Sequence, residues 1–380
     1  MNDTDRAPTT GWLARTRALG PMIDAEAEAN EQASELSPCV VEAMDAADLF
    51  AILAPHDVGG GEVHPRDAID VVSELSYWDG SAGWYGHAVM VGGSVAGAFL
   101  GLKAIEAIFP AGRYAHAAGQ AAPTGKAVRE GEGYRVSGRY SFASGSPHAR
   151  FLVGGFTLEG SDPPTMLIGL VPREGVEFRG NWDVFGLRAT GSYDFLVREQ
   201  WVHADFFLDP ASVQPRRGGA LYRMGFMAHP QMCHAAFALG TTRRVLDEWL
   251  AFARGKSRGT GTLADQQTFQ RDFAMATGDL RAAEAYLRQT FISLFEAAAV
   301  GEPSPEQMRE GQIATSHAFT MAKRVAQTAF NAATTAAIRN GNALQRAYRD
   351  VMAGSAHVIN SDLALLDLGA QLTRPGEPQT

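Results

Sequence analysis

Apolar residues recur three and four apart from about Thr9 to Phe109, alternate across two faces from about Ala111 to Leu221, and return to the helical period from Met227 onward. The first stretch predicts helices over TRALGPMIDAEAEANEQASEL, PCVVEAMDAADLFAILAP and PRDAIDVVSELSYWDGSAGWYGHAVMV, with a glycine-marked turn at HDVGGGEVHP. GYRVSGRYSF, RFLVGGFTL, PTMLIGLVP and SYDFLVREQWVHADFFL read as strands, and their close spacing suggests a compact antiparallel barrel or sandwich. Phe269, Phe273, Ala276, Leu280, Ala283, Leu287, Phe291, Leu294 and Ala298 form one buried stripe of a long helix. The next helix opens on Ser304, Pro305 and Gln307, which have the spacing of a capping box with proline at the first helical position, and runs toward Asn340-Gly341. A last helix is expected from about Ala343 to Leu372, before a frayed RPGEPQT tail. Four long antiparallel helices make a bundle. The expected organisation is mostly α with a central β-domain: an N-terminal helical domain over 1–110, a β-domain over 111–225 and a four-helix bundle over 226–380.

Composition narrows the functional classes. Of 380 residues, 46% are hydrophobic and 20% charged, as in a soluble globular protein. The net charge of −9 argues against a general nucleic-acid surface. Two cysteines, Cys39 and Cys233, are too few for a disulfide scaffold or a multi-thiolate metal site, and they suit a reducing cytoplasm. The Gly-rich apolar run from Ala88 to Leu102 is too short to span a bilayer and reads as a buried helix. The N-terminus shows no signal-peptide pattern, so a cytoplasmic protein is expected.

Most short motifs fail on context. Gly259-Thr-Gly261-Thr-Leu-Ala264 matches a dinucleotide fingerprint by letters, and Gly255-Lys-Ser257-Arg-Gly259 a nucleophile elbow, but no hydrophobic strand precedes either. Thr124-Gly125-Lys126 lacks the upstream glycine of a P-loop. His229 and His234 stand five apart with no carboxylate at metal-binding spacing, so no metal is expected. Two stretches stand out by their chemistry. In Tyr140–His148 a strand breaks into small residues, where Ala143, Ser144 and Gly145 would offer backbone N–H groups and a hydroxyl to a flat heteroaromatic ring. In Leu344–His357 a histidine follows a charged cluster among small residues that leave room for a ligand.

Together with LFAILAPHDVGGGEVHP, WDGSAGWY, VFGLRATGSYDF and LQRAYRD, these stretches resemble the acyl-CoA dehydrogenase superfamily over nearly the whole chain. The resemblance implies a middle β-barrel, flavin held between barrel and bundle, and a homotetramer whose flavin site a neighbouring subunit completes. In the dehydrogenases the proton-abstracting glutamate lies eight residues after the Asp of the RD pair; here that position is Val358. The alternative base would fall within HPQMCHAAFALG, which has no acid, and the phosphate-contacting loop is replaced by GQAAPTGKA, containing Gln120 and Ala121.

His357, seven residues after Asp350, instead is similar to the histidine of the two-component flavin-dependent monooxygenases, which include phenol and steroid hydroxylases and amino-sugar N-oxygenases. That branch takes reduced FMN or FAD, here with FMN put first, from a separate NAD(P)H:flavin reductase. It forms a C4a-hydroperoxyflavin with O2 and passes one oxygen atom to a small molecule. By this resemblance His357 is a hydrogen-bond donor near the peroxide and Ser144 sits near flavin N5. Trp84 flanks the flavin, and Phe142, Ala143 and Gly145 share its loop. Arg258, or equally Arg254, reaches flavin phosphate across subunits. Phenol hydroxylases of the branch carry a substrate-side histidine where this chain has Gly92, which leaves His87 and His116 as the nearest substitutes. A hydrophobic or aromatic substrate is expected. The alternatives are a divergent FAD-dependent acyl-CoA dehydrogenase and a non-catalytic flavin-fold subunit.

Overall fold

The computed structural model describes residues 11–373, so the expected frayed tail and the start of the N-terminus lie outside the described residues. Five helices come first: α1 (Gly11–Ala33), α2 (Pro38–Ala46), α3 (Pro65–Trp78), α4 (Gly80–Phe99) and α5 (Leu102–Ile108). The chain leaves α3 through Asp79, whose extended backbone ends one helix while its carboxylate accepts the Ala82 N–H at 2.8 Å and caps the next. This break splits what the sequence reads as one continuous helix. The apolar run from Ala88 lies mainly in α4, which is buried along nearly its whole length.

Eight strands follow: β1 (Ala117–Gly119), β2 (Gly125–Glu130), β3 (Gly133–Ala143), β4 (Phe151–Leu158), β5 (Met166–Pro172), β6 (Val176–Phe178), β7 (Tyr193–His203) and β8 (Phe207–Leu208). They form one sheet in the order β6-β7-β3-β2-β4-β5-β8, with β1 added on β4. The sheet differs from the expected antiparallel barrel in two ways. It is mixed, because β4 pairs in parallel with both β1 and β2. It is also open, because its end strands β6 and β8, three and two residues long, do not pair with each other. Between Tyr140 and Ala143 the β3–β7 register slips, and this bulge turns Phe142 outward at φ 63° with 67% exposure.

The remaining helices are α6 (Ala220–Arg223), α7 (Ala228–Gly255), α8 (Gln267–Val300), α9 (Pro305–Ala333), α10 (Ala343–Ser355) and α11 (Leu363–Thr373). A short hairpin of β9 (Ser257–Arg258) and β10 (Gly261–Thr262) links α7 to α8. The capping box forms as expected, with the Ser304 side chain accepting the Gln307 N–H. The α8 stripe is buried except at Phe273 and Leu280, which are half-buried. The expected single last helix is broken: α10 stops at Ser355, a 3-10 turn covers Val358–Asn360, and α11 restarts at Leu363. The break has a polar cause. The Asn360 amide donates to Gly354 O at 2.7 Å, taking a carbonyl that a continuing helix would use.

Helices α7, α8, α9 and α10 pack on one another, and α3 and α4 pack on α7. At Gly240 of α7 an added Cβ would lie 2.0 Å from Ser73 O, so glycine permits the close α3–α7 contact. One apolar core therefore runs from Ile23 to Val351, drawn mainly from the helices and joined by Phe151, Ile168 and Leu170 of the sheet, and the sheet has a second core of its own around Tyr140, Phe156 and Phe195. No helix among the described residues is long and apolar enough to cross a membrane.

Candidate functional site

Trp84 on α4 is the hub. Its Nε1–H donates to Ser144 Oγ at 3.2 Å, joining the helical layer to the loop after β3. Four rings pack edge-on against the indole: His234 at 4.7 Å, His87 at 4.9 Å, Phe237 at 5.0 Å and His357 at 5.9 Å between centroids. The imidazoles also meet one another, His234–His357 at 4.5 Å and His87–His234 at 4.7 Å. Three elements thus converge: α4 gives Trp84 and His87, α7 gives His234 and Phe237, and the turn after α10 gives His357.

Hydrogen bonds fix two of the tautomers. His357 Nδ1 accepts the Ile359 N–H at 3.2 Å, so the proton of the neutral ring sits on Nε2, which becomes a donor. Because the Asn360 amide N–H is spent on Gly354 O, its Oδ1 is an acceptor, and His234 Nδ1–H donates to it at 3.1 Å. The His87 Nε2 is buried with no partner. Burial pushes all three imidazoles down, His87 to about 3, with the neighbouring His357 adding to it, and His357 to about 4, while His234 falls well below its ordinary value. At neutral pH the cluster is uncharged. None of its imidazoles has a carboxylate hydrogen-bond partner among the described residues, and no group of acidic, His or Cys side chains there is arranged to hold a metal.

The turn carrying His357 is clamped from α9, where Gln312 donates to Ile359 O at 2.6 Å and Ser316 to Ser361 O at 2.8 Å. Contrary to the sequence reading, His357 is not a helix residue. Nor are the loop's backbone N–H groups free: Ser144 N bonds Phe142 O, Gly145 N bonds Thr190 O, and Ala143 stands in the β3–β7 ladder opposite Tyr193. The hydroxyl of Ser144 is what the loop offers.

The other sequence candidates scatter. Gln120 and Ala121 follow β1, half-buried, with Gln120 N on Val153 O and its Oε1 accepting the Ala122 N–H. His116 pairs with Asp45 at 2.9 Å and meets Phe50 edge-on and Tyr114 at a tilt, with no ring contact to the Trp84 group. At Gly92 a Cβ would meet Ala117 O at 2.5 Å and the Tyr114 hydroxyl at 2.9 Å, so no side chain fits there. Val358 is exposed, as are Arg254 at the end of α7 and Arg258 in β9. Twenty residues of helix put Arg254 about 30 Å along α7 from His234. The sequence reading missed His234, Asn360, Thr190 and Ser192 as site residues. The last two lie inside the VFGLRATGSYDF segment, and His234 shares one face of α7 with Phe237.

The residues present fit a planar heteroaromatic group such as flavin. They supply an indole wall, an outward phenylalanine packed on Trp182, one hydroxyl and one neutral N–H donor.

This is the acyl-CoA dehydrogenase-like fold, and residues 232–362 match the family model described as acyl-CoA dehydrogenase, C-terminal domain. The chain is 27% identical over 344 residues to the indole-3-acetate monooxygenase of Pseudomonas putida, covering 88% of this chain and 86% of that one. It is also 27% identical to the flavin-dependent monooxygenase oxygenase subunit HsaA of Mycobacterium tuberculosis, covering 95% and 94%. The crystal structure of the HsaA monooxygenase from that organism superposes with a TM-score of 0.88 at 24% identity, over 98% of this chain and 99% of that one.

Proposed function

We propose that this chain is the oxygenase component of a two-component flavin-dependent monooxygenase. It takes reduced FMN or FAD from a separate flavin reductase and places one oxygen atom of O2 on an aromatic small molecule. The observation that carries this reading is the meeting of Trp84, Ser144 and a neutral, donor-poised His357 in a group without a carboxylate base. The relatives, named for indole-3-acetate and for flavin dependence, support it.

Reduced flavin, when bound, supplies the electrons that activate O2. The chain's own residues do the rest. His357 offers Nε2–H to the oxygen side, and its low proton affinity keeps that donor neutral. Trp84, His87, His234 and Phe237 keep the donor dry, which opposes loss of oxygen as H2O2. Ser144 would hold the N5 edge of a bound flavin by its hydroxyl, with Phe142, Ala143 and Gly145 beside it in the same loop, and Gln120 and Ala121, on the separate segment after β1, would contact the flavin from there. With Gly92 closed and His116 engaged by Asp45, His87 is the histidine left for the substrate side. Arg254, about 30 Å along α7 from His234, or Arg258 in the β9 hairpin just beyond, would reach a neighbour's flavin phosphate in a homotetramer. The three-part division at 110 and 225, with α7 to α10 as a four-helix unit, is part of the same reading.

The test is to mix the protein anaerobically with reduced FMN or FAD and then add 18O2 with indole-3-acetate or a phenol. One labelled atom in the product is expected. His357→Ala, with the fold retained, should lower the share of O2 entering product on the order of tenfold. Bleaching of bound FAD by an acyl-CoA thioester would overturn the assignment.

A further inference from the structure

Behind Ser144 lies a row of hydroxyls whose direction the structure settles. Ser144 Oγ is 2.8 Å from Ser192 Oγ, Ser192 Oγ is 2.7 Å from Thr190 Oγ1, and Thr190 Oγ1 is 2.7 Å from Leu187 O. A carbonyl only accepts, so the single Thr190 hydroxyl hydrogen goes to Leu187 O. Ser192 must then donate to Thr190, and Ser144 must donate to Ser192. At the other end an indole N–H only donates, so Trp84 fills one Ser144 lone pair. One arrangement satisfies every contact: Trp84 to Ser144 to Ser192 to Thr190 to Leu187.

The row is anchored at its far end. Leu187 stands at φ 56°, and its N–H donates to Asp350 Oδ1 at 2.6 Å. Thr190 and Ser192 are each 1% exposed, whereas Ser144 keeps 8%. The two inner hydroxyls are sealed, and Ser144, at the near end of the row beside Trp84, has its hydrogen already committed inward. What it has left is one lone pair.

We propose that Thr190 and Ser192 are positioning residues that lock Ser144 as a hydrogen-bond acceptor, so that the site selects a ligand presenting an N–H or O–H donor. This rests on the flavin reading above and deepens it. Reduced flavin carries a hydrogen on N5, whereas oxidised flavin presents a lone pair there. Against an acceptor-only Ser144 the first forms a hydrogen bond and the second meets lone pair with lone pair. The polarity of the row therefore discriminates between the redox states of one molecule.

Equilibrium titration of the intact protein with FMN, oxidised in air and reduced under anaerobic conditions, measures this directly. The wild type should bind reduced FMN more tightly. Ser192→Ala removes the acceptor that holds the Ser144 hydrogen, and Thr190→Val removes the one that holds Ser192; either frees Ser144 to donate. In each, the preference for reduced FMN should fall about fivefold, the worth of one hydrogen bond, chiefly through tighter binding of the oxidised form. Thr190→Val keeps the side-chain shape and carries the test if Ser192→Ala does not fold. A wild type that binds neither form defeats the flavin reading itself. A wild type that prefers reduced FMN, with that preference unchanged in a folded variant, overturns the hydroxyl row while leaving the flavin reading standing.

Discussion

At the scale of single residues, the proposed site is built by removing charge. His357 is kept neutral by burial, with its hydrogen directed to Nε2 by the Ile359 N–H. In ring-15N-labelled protein without flavin, the Nε2–H tautomer should persist from pH 8 down to about 5. Its titration should centre near 4 instead of the usual 6.5. A midpoint above 6 would mean that the surroundings do not exclude the cation. His357 stands out in the sequence because its distance from Asp350 resembles a family pattern, and in the structure it packs against Trp84. His234 was not, because its sequence neighbour misleads. Five residues turn about 140° round a helix, so His229 points elsewhere, to Ser94 and Leu221 O, while His234 reaches the site. Thr190 and Ser192 were hidden for another reason: hydroxyls in a loop acquire a role only through partners brought from three other segments.

Elements were legible where a local signal starts them and obscure where a distant group stops them. The α9 start is written in Ser304 and Gln307, four residues of self-sufficient chemistry. The end of α10 depends on Asn360 reaching back to Gly354 and across to His234, which no periodicity announces. Asp350 shows the same dependence energetically. It ties α10 to the Leu187 loop, its Oδ2 is buried without a partner, and burial together with the nearby Asp79 carboxylate pushes its proton affinity up. The folded protein thus holds a proton that the unfolded chain releases near pH 4, so stability from this group falls as pH rises from about 4 toward the raised folded value. Each unit of upward displacement costs about 1.4 kcal/mol at neutral pH. Asp350→Asn keeps an acceptor for Leu187 N–H. Its urea midpoint should gain on the wild type as pH rises from 4 to 8; a constant difference would show that the carboxyl is ionised throughout.

For the whole molecule, the order of textures along the chain gave the order of layers, helices, sheet, helices. The sheet's mixed pairing and open edges depend on which strands meet, and alternation within a strand does not encode that. Assembly follows from the proposed use of Arg254 and Arg258: light scattering should give four chain masses, and Arg258→Glu or Arg254→Glu should weaken reduced-flavin binding with the tetramer intact. A stable monomer that binds reduced flavin tightly would remove both arginines from the site. The shared core has a further consequence for how the chain is made. Helix α4, apolar nearly all round, packs on α3 just before it and on α7, which begins about 130 residues beyond its end, with a smaller contact to α10. The first hundred residues leave the ribosome able to pack α3 on α1 and α4 but with the α7 side of α3 and α4 still uncovered, while the sheet between can gather its own core. Until α7 is translated, the face that α3 and α4 turn toward it stays open to water, so the growing chain carries an apolar surface that the finished protein hides.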